Sequence, residues 1–391
     1  MPDSLTDLFA ITAPGLEALA VRELRALGVD HCVATHGGVA WQGGRRELYS
    51  ANLWLRTVSR VLVRVTEFHA ASFYELERRA KRIPWNEFVN PGQGVRFRVT
   101  CHKSALYHSD AVAERLGRSV TAATGVTLAS VGSKGGPKNG DEDDEPDTDA
   151  QLFVVRIDHD TVSISADSSG ALLHRRGYRQ AIAKAPLRET LAAAMLLASG
   201  WDPDTALIDP MCGSGTIPIE AALISRRIAP GIRRSFAFLH WPGFDPDIWQ
   251  QLRSAATEGE LPRAPAPIVA SDRDEGAVRA ASDNAARVGV AQDVQVLQRP
   301  LSATEPVRGA DAPGWLMTNP PYGIRVGADV RNLYARLGRL MRNEFNGWRL
   351  GMLSASPALE RQTKMPLEQL FETRNGGIKI RFLAGGYPDR S

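Results

Sequence analysis

Residues 206–222 read ALIDPMCGSGTIPIEAA: a short apolar run ending in Asp209, a Gly-Ser-Gly turn, then a helix of small residues. This is the strand–loop–helix unit of a doubly wound α/β fold, in which ligands lie beyond the carboxyl ends of the strands. Gly213 and Gly215 permit positive φ and close backbone approach. No Gly-Lys-Ser/Thr follows to hold phosphates and a magnesium ion, so the segment is not a phosphate loop. It is not G-x-G-x-x-G either, because Thr216, Ile217 and Pro218 follow Gly215. An acid ahead of the turn suits the amino end of a sulfonium-bearing amino acid better than a pyrophosphate. Asp209, Pro210, Cys212, Gly213, Ser214, Gly215 and Thr216 are therefore the first candidate cofactor-binding residues.

A second strand, IVASDRD at 268–274, ends in the same style. An acid at that tip is placed to meet ribose hydroxyls, and Asp272 is the better candidate. Asp274 either shares that task or caps the following helix, a position aspartate favours. Further on, LMTNPPYG at 316–323 ends an apolar run in an Asn-Pro-Pro-Tyr turn. Such a turn suits gripping a planar amide or amidine nitrogen, whose lone pair is delocalised. The Asn319 side-chain oxygen and the Pro320 carbonyl can accept its N–H protons, which frees the lone pair for an electrophile. Pro320 and Pro321 fix φ and remove donors. Tyr322 can stack on an extruded base. Asn319, Pro320, Pro321 and Tyr322 are the candidate catalytic residues.

The glycine turn, the second-strand acid and NPPY follow the order of strands one, two and four of a class I methyltransferase. The C-terminal half resembles the AdoMet-dependent RNA guanine-N2 methyltransferases that carry a THUMP domain, and is most similar to the bacterial 23S ribosomal RNA enzymes. DPMCGSGT at 209–216, SDRD at 271–274, NPPYG at 319–323, LHRRGYR at 173–179 and APLRETLAAAM at 185–195 carry that resemblance. FAITAPGLE at 9–17, the segment 97–116 and RNGGI at 374–378 extend it over nearly the whole chain. It implies an α/β fold in which a Rossmann-like class I domain follows α+β ferredoxin-like and THUMP domains. S-adenosyl-L-methionine is the implied cofactor and a guanine N2 in structured RNA the implied target. Ribosomal RNA, including a pre-ribosomal particle, is the first substrate class and transfer RNA the alternative. NPPY also serves DNA adenine-N6 and protein glutamine methyltransferases, and a non-catalytic RNA-binding assembly factor is the rival of another class. The family often offers an acid or amide to the adenine from the third strand; here only Gln298 is available.

Composition bounds the rest. The 391 residues suit two or three domains, and 43% hydrophobic with 23% charged residues is ordinary for a globular chain. No stretch has the apolar length of a membrane span, and the N-terminus lacks a signal peptide. Three scattered cysteines (Cys32, Cys101, Cys212) fit a reducing cytoplasm. The eight histidines show no ligand spacing, so no metal is expected. Net charge is only +3, but the acids crowd into 141–149. That insertion, 132–149, reads as a disordered excursion, and setting it aside leaves a basic body suited to phosphates.

The expected domains are 1–68 (ferredoxin-like), 69–166 (THUMP), a connector at 167–185, and 186–391 (methyltransferase). Lys103 is the candidate RNA contact of the second domain; Arg96, Arg98, Arg115 and Arg118 are weaker ones. In the connector, Arg175, Arg176, Tyr178, Arg179 and Lys184 either track an RNA backbone, with Tyr178 stacking, or serve as solvated or acid-paired charges. Glu189 either borders the cofactor or stabilises a helix N-terminus. Asp158-His159-Asp160 reads as a hairpin turn.

Overall fold

The computed structural model describes residues 5–128, 150–179, 187–307, 312–322 and 328–387. The 132–149 insertion, Lys184 and Gly323 lie outside the described residues. The chain forms two compact units, one of residues 1–12, 20–173 and 234–253, the other of residues 13–19, 174–233 and 254–391.

The first unit is built on one eight-stranded sheet. Its opening strands and helices are β1 (Thr6–Thr12), α1 (Glu17–Ala26), β2 (Cys32–Thr35), β3 (Gly38–Gly43), α2 (Arg45–Trp54) and β4 (Val58–His69). Then come α3 (Phe73–Ala80), β5 (Gly94–His102), α4 (Ser109–Thr124), β6 (Thr127–Leu128), β7 (Gln151–Asp158) and β8 (Thr161–Asp167). The order is β2-β3-β1-β4-β8-β7-β5-β6, so the β1–β4 part has the ferredoxin-like arrangement. Helix starts follow their capping chemistry: Ser72 accepts from the Glu75 N–H at 3.3 Å, and Glu75 returns to the Ala71 N–H at 2.9 Å. α4 stops at Gly125, whose φ of 71° is open to glycine.

The expected boundary at 68/69 falls inside this sheet. β4 pairs with β1 through Leu8↔Val63 and with β8 from Leu62↔Asp167 to His69↔Thr161. The buried Arg60 guanidinium ties the same strands together by pairing with Asp167 and donating to the Gly170 carbonyl at 2.7 Å. Residues 234–253, expected in the methyltransferase domain, belong to this unit instead. The reason is aromatic: Tyr49 stacks on Phe238 at 4.4 Å, with Phe244 and Trp249 at 5.8 and 6.2 Å from it. Trp241 donates to Gln151 at 2.7 Å and meets Phe88 edge-on at 5.1 Å.

The second unit holds α5 (Glu189–Ser199), β9 (Leu207–Asp209), α6 (Thr216–Ser225), the end of α7 (Pro246–Glu258), β10 (Ile268–Asp272), α8 (Glu275–Val288) and β11 (Val294–Gln298). It continues with β12 (Trp315–Thr318), α9 (Ala328–Asn343), β13 (Arg349–Ser354), α10 (Pro357–Gln362), β14 (Leu367–Asn375) and β15 (Ile378–Gly385). Strand order is β11-β10-β9-β12-β13-β15-β14, parallel from β11 to β13 and closed by the antiparallel hairpin.

Alternation along the central strands feeds two cores, because successive side chains point to opposite faces. Leu207, Ile268, Ala270, Trp315 and Met317 pack with α5, α6 and α8. Ile208, Val269 and Leu316 pack with Tyr334, Leu337, Leu340 and Met341 of α9. Leu16 and Leu19, far upstream in sequence, sit in the first of these cores. On α9, Arg336 and Arg339 face water, but Arg342 is half-buried and donates to the Thr363 carbonyl at 2.8 Å. That contact is close because Gly338 lies against Thr363, where a Cβ would meet the Thr363 oxygen at 1.8 Å.

Candidate active site

The strand tips of β9, β10 and β12 are neighbours in the sheet, so Asp209, Asp272 and Asn319 come to one edge. The glycine turn between β9 and α6 is fixed by backbone hydrogen bonds. The Cys212 N–H donates to the Ser271 carbonyl at 3.0 Å, and the Gly215 N–H to the Cys212 carbonyl at 2.8 Å. The Gly213 N–H donates to Asp272 Oδ2 at 3.0 Å, while Asp272 Oδ1 accepts from the Asp274 N–H at 3.0 Å. Gly215 needs its φ of 83°, and a Cβ there would press Ala281 of α8 at 3.0 Å. At Gly213 (φ 52°) a Cβ would meet nothing within 4 Å, so this part of the turn borders open space.

The two aspartates differ sharply. Asp209 is buried, accepts from the Met211 N–H at 3.1 Å, and burial pushes its carboxyl up to about 7. Asp272 is half-exposed and paired in register with Gln298, which is exposed at the tip of β11. Each carboxylate oxygen of Asp272 uses one lone pair on a backbone N–H and keeps another free. Asp274 is the N-cap of α8: its Oδ1 accepts from the Ala277 N–H at 2.7 Å. The capping alternative therefore holds for Asp274. Cys212 is buried, and burial first, then Asp209 and Asp272, raise its thiol well above the usual range. It lines the turn as a small residue, and its burial disfavours the thiolate. Pro210 and Thr216 are buried; Ser214 is half-buried.

At the end of β12, Thr318 and Pro320 are buried, Pro321 is exposed, and Asn319 and Tyr322 are half-buried. The Asn319 Oδ1 atom is buried with no hydrogen-bond partner among the described residues. A buried acceptor left open is costly; of the open buried atoms among the described residues, which include Ser271 Oγ at the tip of β10, Asn319 Oδ1 is the one on the Asn-Pro-Pro-Tyr turn. The Tyr322 hydroxyl accepts from Asn375 Nδ2 at 3.2 Å, and its ring packs on the first core, so burial raises its pKa.

Three supporting residues are not among the candidate site residues. Asn284 of α8 donates to the Ser214 carbonyl at 3.0 Å, and Arg287 fixes the Asn284 amide by donating to its Oδ1 at 2.7 Å. Asn375, in the β14–β15 turn region, aims Tyr322. The helical spacing of Asn284 and Arg287 is the only sequence signal for the first pair; Asn375 offers none beyond its turn.

The connector corrects the sequence reading. Arg176 and Tyr178 are only 3% and 2% exposed, so neither can track or stack on RNA from the surface. Arg176 pairs with the buried Glu220 at 3.5 Å, and the Tyr178 hydroxyl lies 3.5 Å from the same carboxylate. Arg179 donates to Thr216 Oγ1 at 2.7 Å and to the Leu187 carbonyl at 2.9 Å, and faces Glu189 at 3.5 Å. Burial drives this choice, since unpaired interior charge is prohibitive. Glu189 opens α5, and burial lifts its carboxyl to about 7 against the pull of Arg179. Arg175 is half-exposed. In the first unit Lys103 is exposed, whereas Arg115 and Arg118 pair with Glu77 and Glu114.

Comparison with known proteins places this geometry. The profile described as "RMKL-like, methyltransferase domain" matches residues 176–383, and the "RlmL ferredoxin-like domain" matches residues 7–62. A Synechocystis protein named as an RNA methyltransferase is 34% identical over 96% of this chain and 95% of its own. The ribosomal RNA large subunit methyltransferase K/L of Syntrophotalea carbinolica is 34% identical over 97% of this chain, which spans 53% of that longer protein. A methyltransferase crystallised with SAH superposes with a TM-score of 0.84 at 29% identity, covering 99% of both chains. TrmN from Thermus thermophilus, 21% identical and with a TM-score of 0.68 over 97% of this chain and 99% of its own, shares the fold. No helix among the described residues is long and apolar enough to cross a membrane. This chain thus belongs to the RMKL-like methyltransferase family and carries an RlmL-type ferredoxin-like domain near its N-terminus.

Proposed function

We propose that this chain transfers a methyl group from S-adenosyl-L-methionine to the exocyclic N2 of a guanine in structured RNA, large-subunit ribosomal RNA being the substrate class. The observation that carries the reading is the buried, unpartnered amide oxygen of Asn319 at the end of β12. It is an acceptor waiting for a donor, and an exocyclic amine is such a donor.

The residues present fit the cofactor. Open space beside Gly213 admits close approach, Asp272 keeps lone pairs for ribose hydroxyls, and exposed Gln298 beside it is the polar group nearest an adenine. When bound, the cofactor supplies an electrophilic methyl group. Asn319 Oδ1 and the Pro320 carbonyl accept the N–H bonds of the target amine, orient it, and favour the tetrahedral nitrogen that attack requires. Tyr322, braced by Asn375, packs against the extruded base. Most of the rate then comes from positioning, and the proton leaves to solvent after transfer. Asp209 and Cys212 stay in the interior and shape the turn.

The first unit supplies the RNA-holding surface in this reading, through a THUMP-like segment, with exposed Lys103 as one phosphate contact. Arg175 serves beside the active site. The cell compartment that fits ribosomal RNA is the cytoplasm.

The test is transfer of labelled methyl groups to RNA from cells lacking the gene, with ribosomal and transfer fractions separated and the product nucleoside identified. N2-methylguanosine in large-subunit RNA, lost in Asn319→Ala, is the expected result. The same product in transfer RNA would move the substrate. No labelled RNA, even in ribosome-assembly intermediates, would sink the reading and point to DNA or protein.

A further inference from the structure

Three of the chain's eight histidines gather at one end of the eight-stranded sheet. His102 ends β5 and is in register with Asp158 of β7; His159 follows in the turn to β8; His69 ends β4 opposite Thr161. His102 Nδ1 and His159 Nδ1 lie 2.8 and 3.0 Å from one and the same atom, Asp158 Oδ1. All three atoms fall within 4.8 Å of one another. The side chains are 61%, 66% and 45% exposed, so solvent ions reach them freely.

The backbone holds this trio in an uncommon conformation. Three of the five non-glycine residues with positive φ among the described residues are here: Lys103 at 44°, His159 at 48° and Asp160 at 61°. A two-residue hairpin turn of this kind is served best by Asn-Gly, so His159 is a costly choice for a mere turn. The turn is nonetheless locked. Asp160 Oδ1 accepts from Ser104 Oγ at 2.6 Å and the Ala105 N–H at 2.8 Å, and the Asp160 carbonyl accepts from Ala70 at 2.9 Å.

We propose that His102, Asp158 and His159 form a binding site for one divalent transition-metal ion of the zinc class. Two imidazole nitrogens and one carboxylate oxygen suit zinc, copper, nickel or cobalt, and discriminate against magnesium and calcium. Metal–ligand bonds of about 2.0–2.2 Å put neighbouring ligand atoms roughly 3 Å apart, a spacing both N–O pairs already have. Only a rotation of exposed rings is needed to aim both nitrogens at one ion. Each Nδ1 must be free of its proton to bind: a neutral ring moves it to Nε2, and a cationic ring releases it to solvent. His69 and Asp160, the neighbouring titratable groups, sit around the site and not in it. With three protein ligands, the remaining coordination positions belong to water or another oxygen ligand.

The test uses the full chain, stripped of metal by chelation and titrated with zinc sulfate by calorimetry, with imidazole NMR as the second readout. Wild type should bind one equivalent and shift the His102 and His159 resonances. His102→Gln and His159→Asn should each weaken binding by at least about the tenfold that loss of a supporting residue alone costs. Asparagine adopts positive φ readily, so His159→Asn keeps the turn and decides alone if His102→Gln does not fold. No binding by wild type in excess zinc, or binding untouched by both substitutions, would overturn the proposal.

Discussion

At the tips of β9, β10 and β12, polar atoms are left short of partners, as at Asn319 Oδ1, or share lone pairs sparingly, as at Asp272. The ionic group formed by Arg176, Arg179, Glu189 and Glu220 in the same unit sets buried charges in opposite-sign pairs, although Glu189 Oε2 and Glu220 Oε2 also find no hydrogen-bond partner among the described residues. Both groups are polar, both were conspicuous in sequence, and they obey different physics. An open acceptor at the edge of a sheet costs stability that only a ligand can return. A paired interior charge has already spent its interaction on the fold, and removing one member leaves the other stranded. The two groups thus differ in charge compensation: the ionic group neutralises itself, whereas the Asn319 oxygen at the end of β12 has no counterpart among the described residues.

Four measurements would break or sharpen that contrast. The largest expected effect is on stability: Arg176→Ala strands the fully buried Glu220, and urea unfolding should show a loss of about 3–5 kcal/mol. An unchanged midpoint would mean that Glu220 finds other relief. Next, Asn319→Ala should lower kcat/KM for methyl transfer by about 10²–10³-fold, the scale for one preorganised polar group, without lowering the unfolding midpoint. A variant that loses stability and activity together would erase the distinction.

Third is pH. Glu189 and Asp209, each raised to about 7, hold more protons folded than unfolded between their ordinary values and 7. Their contribution is therefore lost as pH rises through that window, by at most about 1.4 kcal/mol per pH unit for each group. Glu189→Gln should flatten the slope; an unaltered slope would exclude Glu189 as its source. The smallest effect is expected of Tyr322→Phe, which gives up one hydrogen bond to Asn375, worth about 0.5–1.5 kcal/mol. A less than tenfold fall in kcat/KM, without change in cofactor affinity, would fit a bracing role for that hydroxyl.

Local chemistry made much of the fold legible. Strand–turn–helix at 206–222 appears as β9, the glycine turn and α6, and the acid at the second tip stands where the run IVASD placed it. Asp158-His159-Asp160 is the turn between β7 and β8, as its composition suggested. What sequence could not give was direction. Arg176 and Tyr178 lie in a stretch that reads like a basic, aromatic RNA track, and only burial against Glu220 separates them from half-exposed Arg175. Asn284 and Asn375 support the site through contacts set by tertiary packing, with residues 70 and 53 positions away. The His102–Asp158–His159 trio depends on strand register, which ligand-spacing rules along the chain do not see.

The interleaving of the two units has a consequence for how this chain is made. The first unit takes residues 234–253 from far downstream, and the core of the second takes Leu16 and Leu19 from near the start. On a ribosome that adds ~5–20 residues per second, the stretch from His174 to Arg253 delays completion of the first unit by about 4–16 s. For that interval Tyr49 and Phe88 lack the aromatic partners Phe238 and Trp241, and Leu16 waits longer still for the rest of its core. Apolar side chains of the first half of the chain thus wait for packing partners that the ribosome delivers only later.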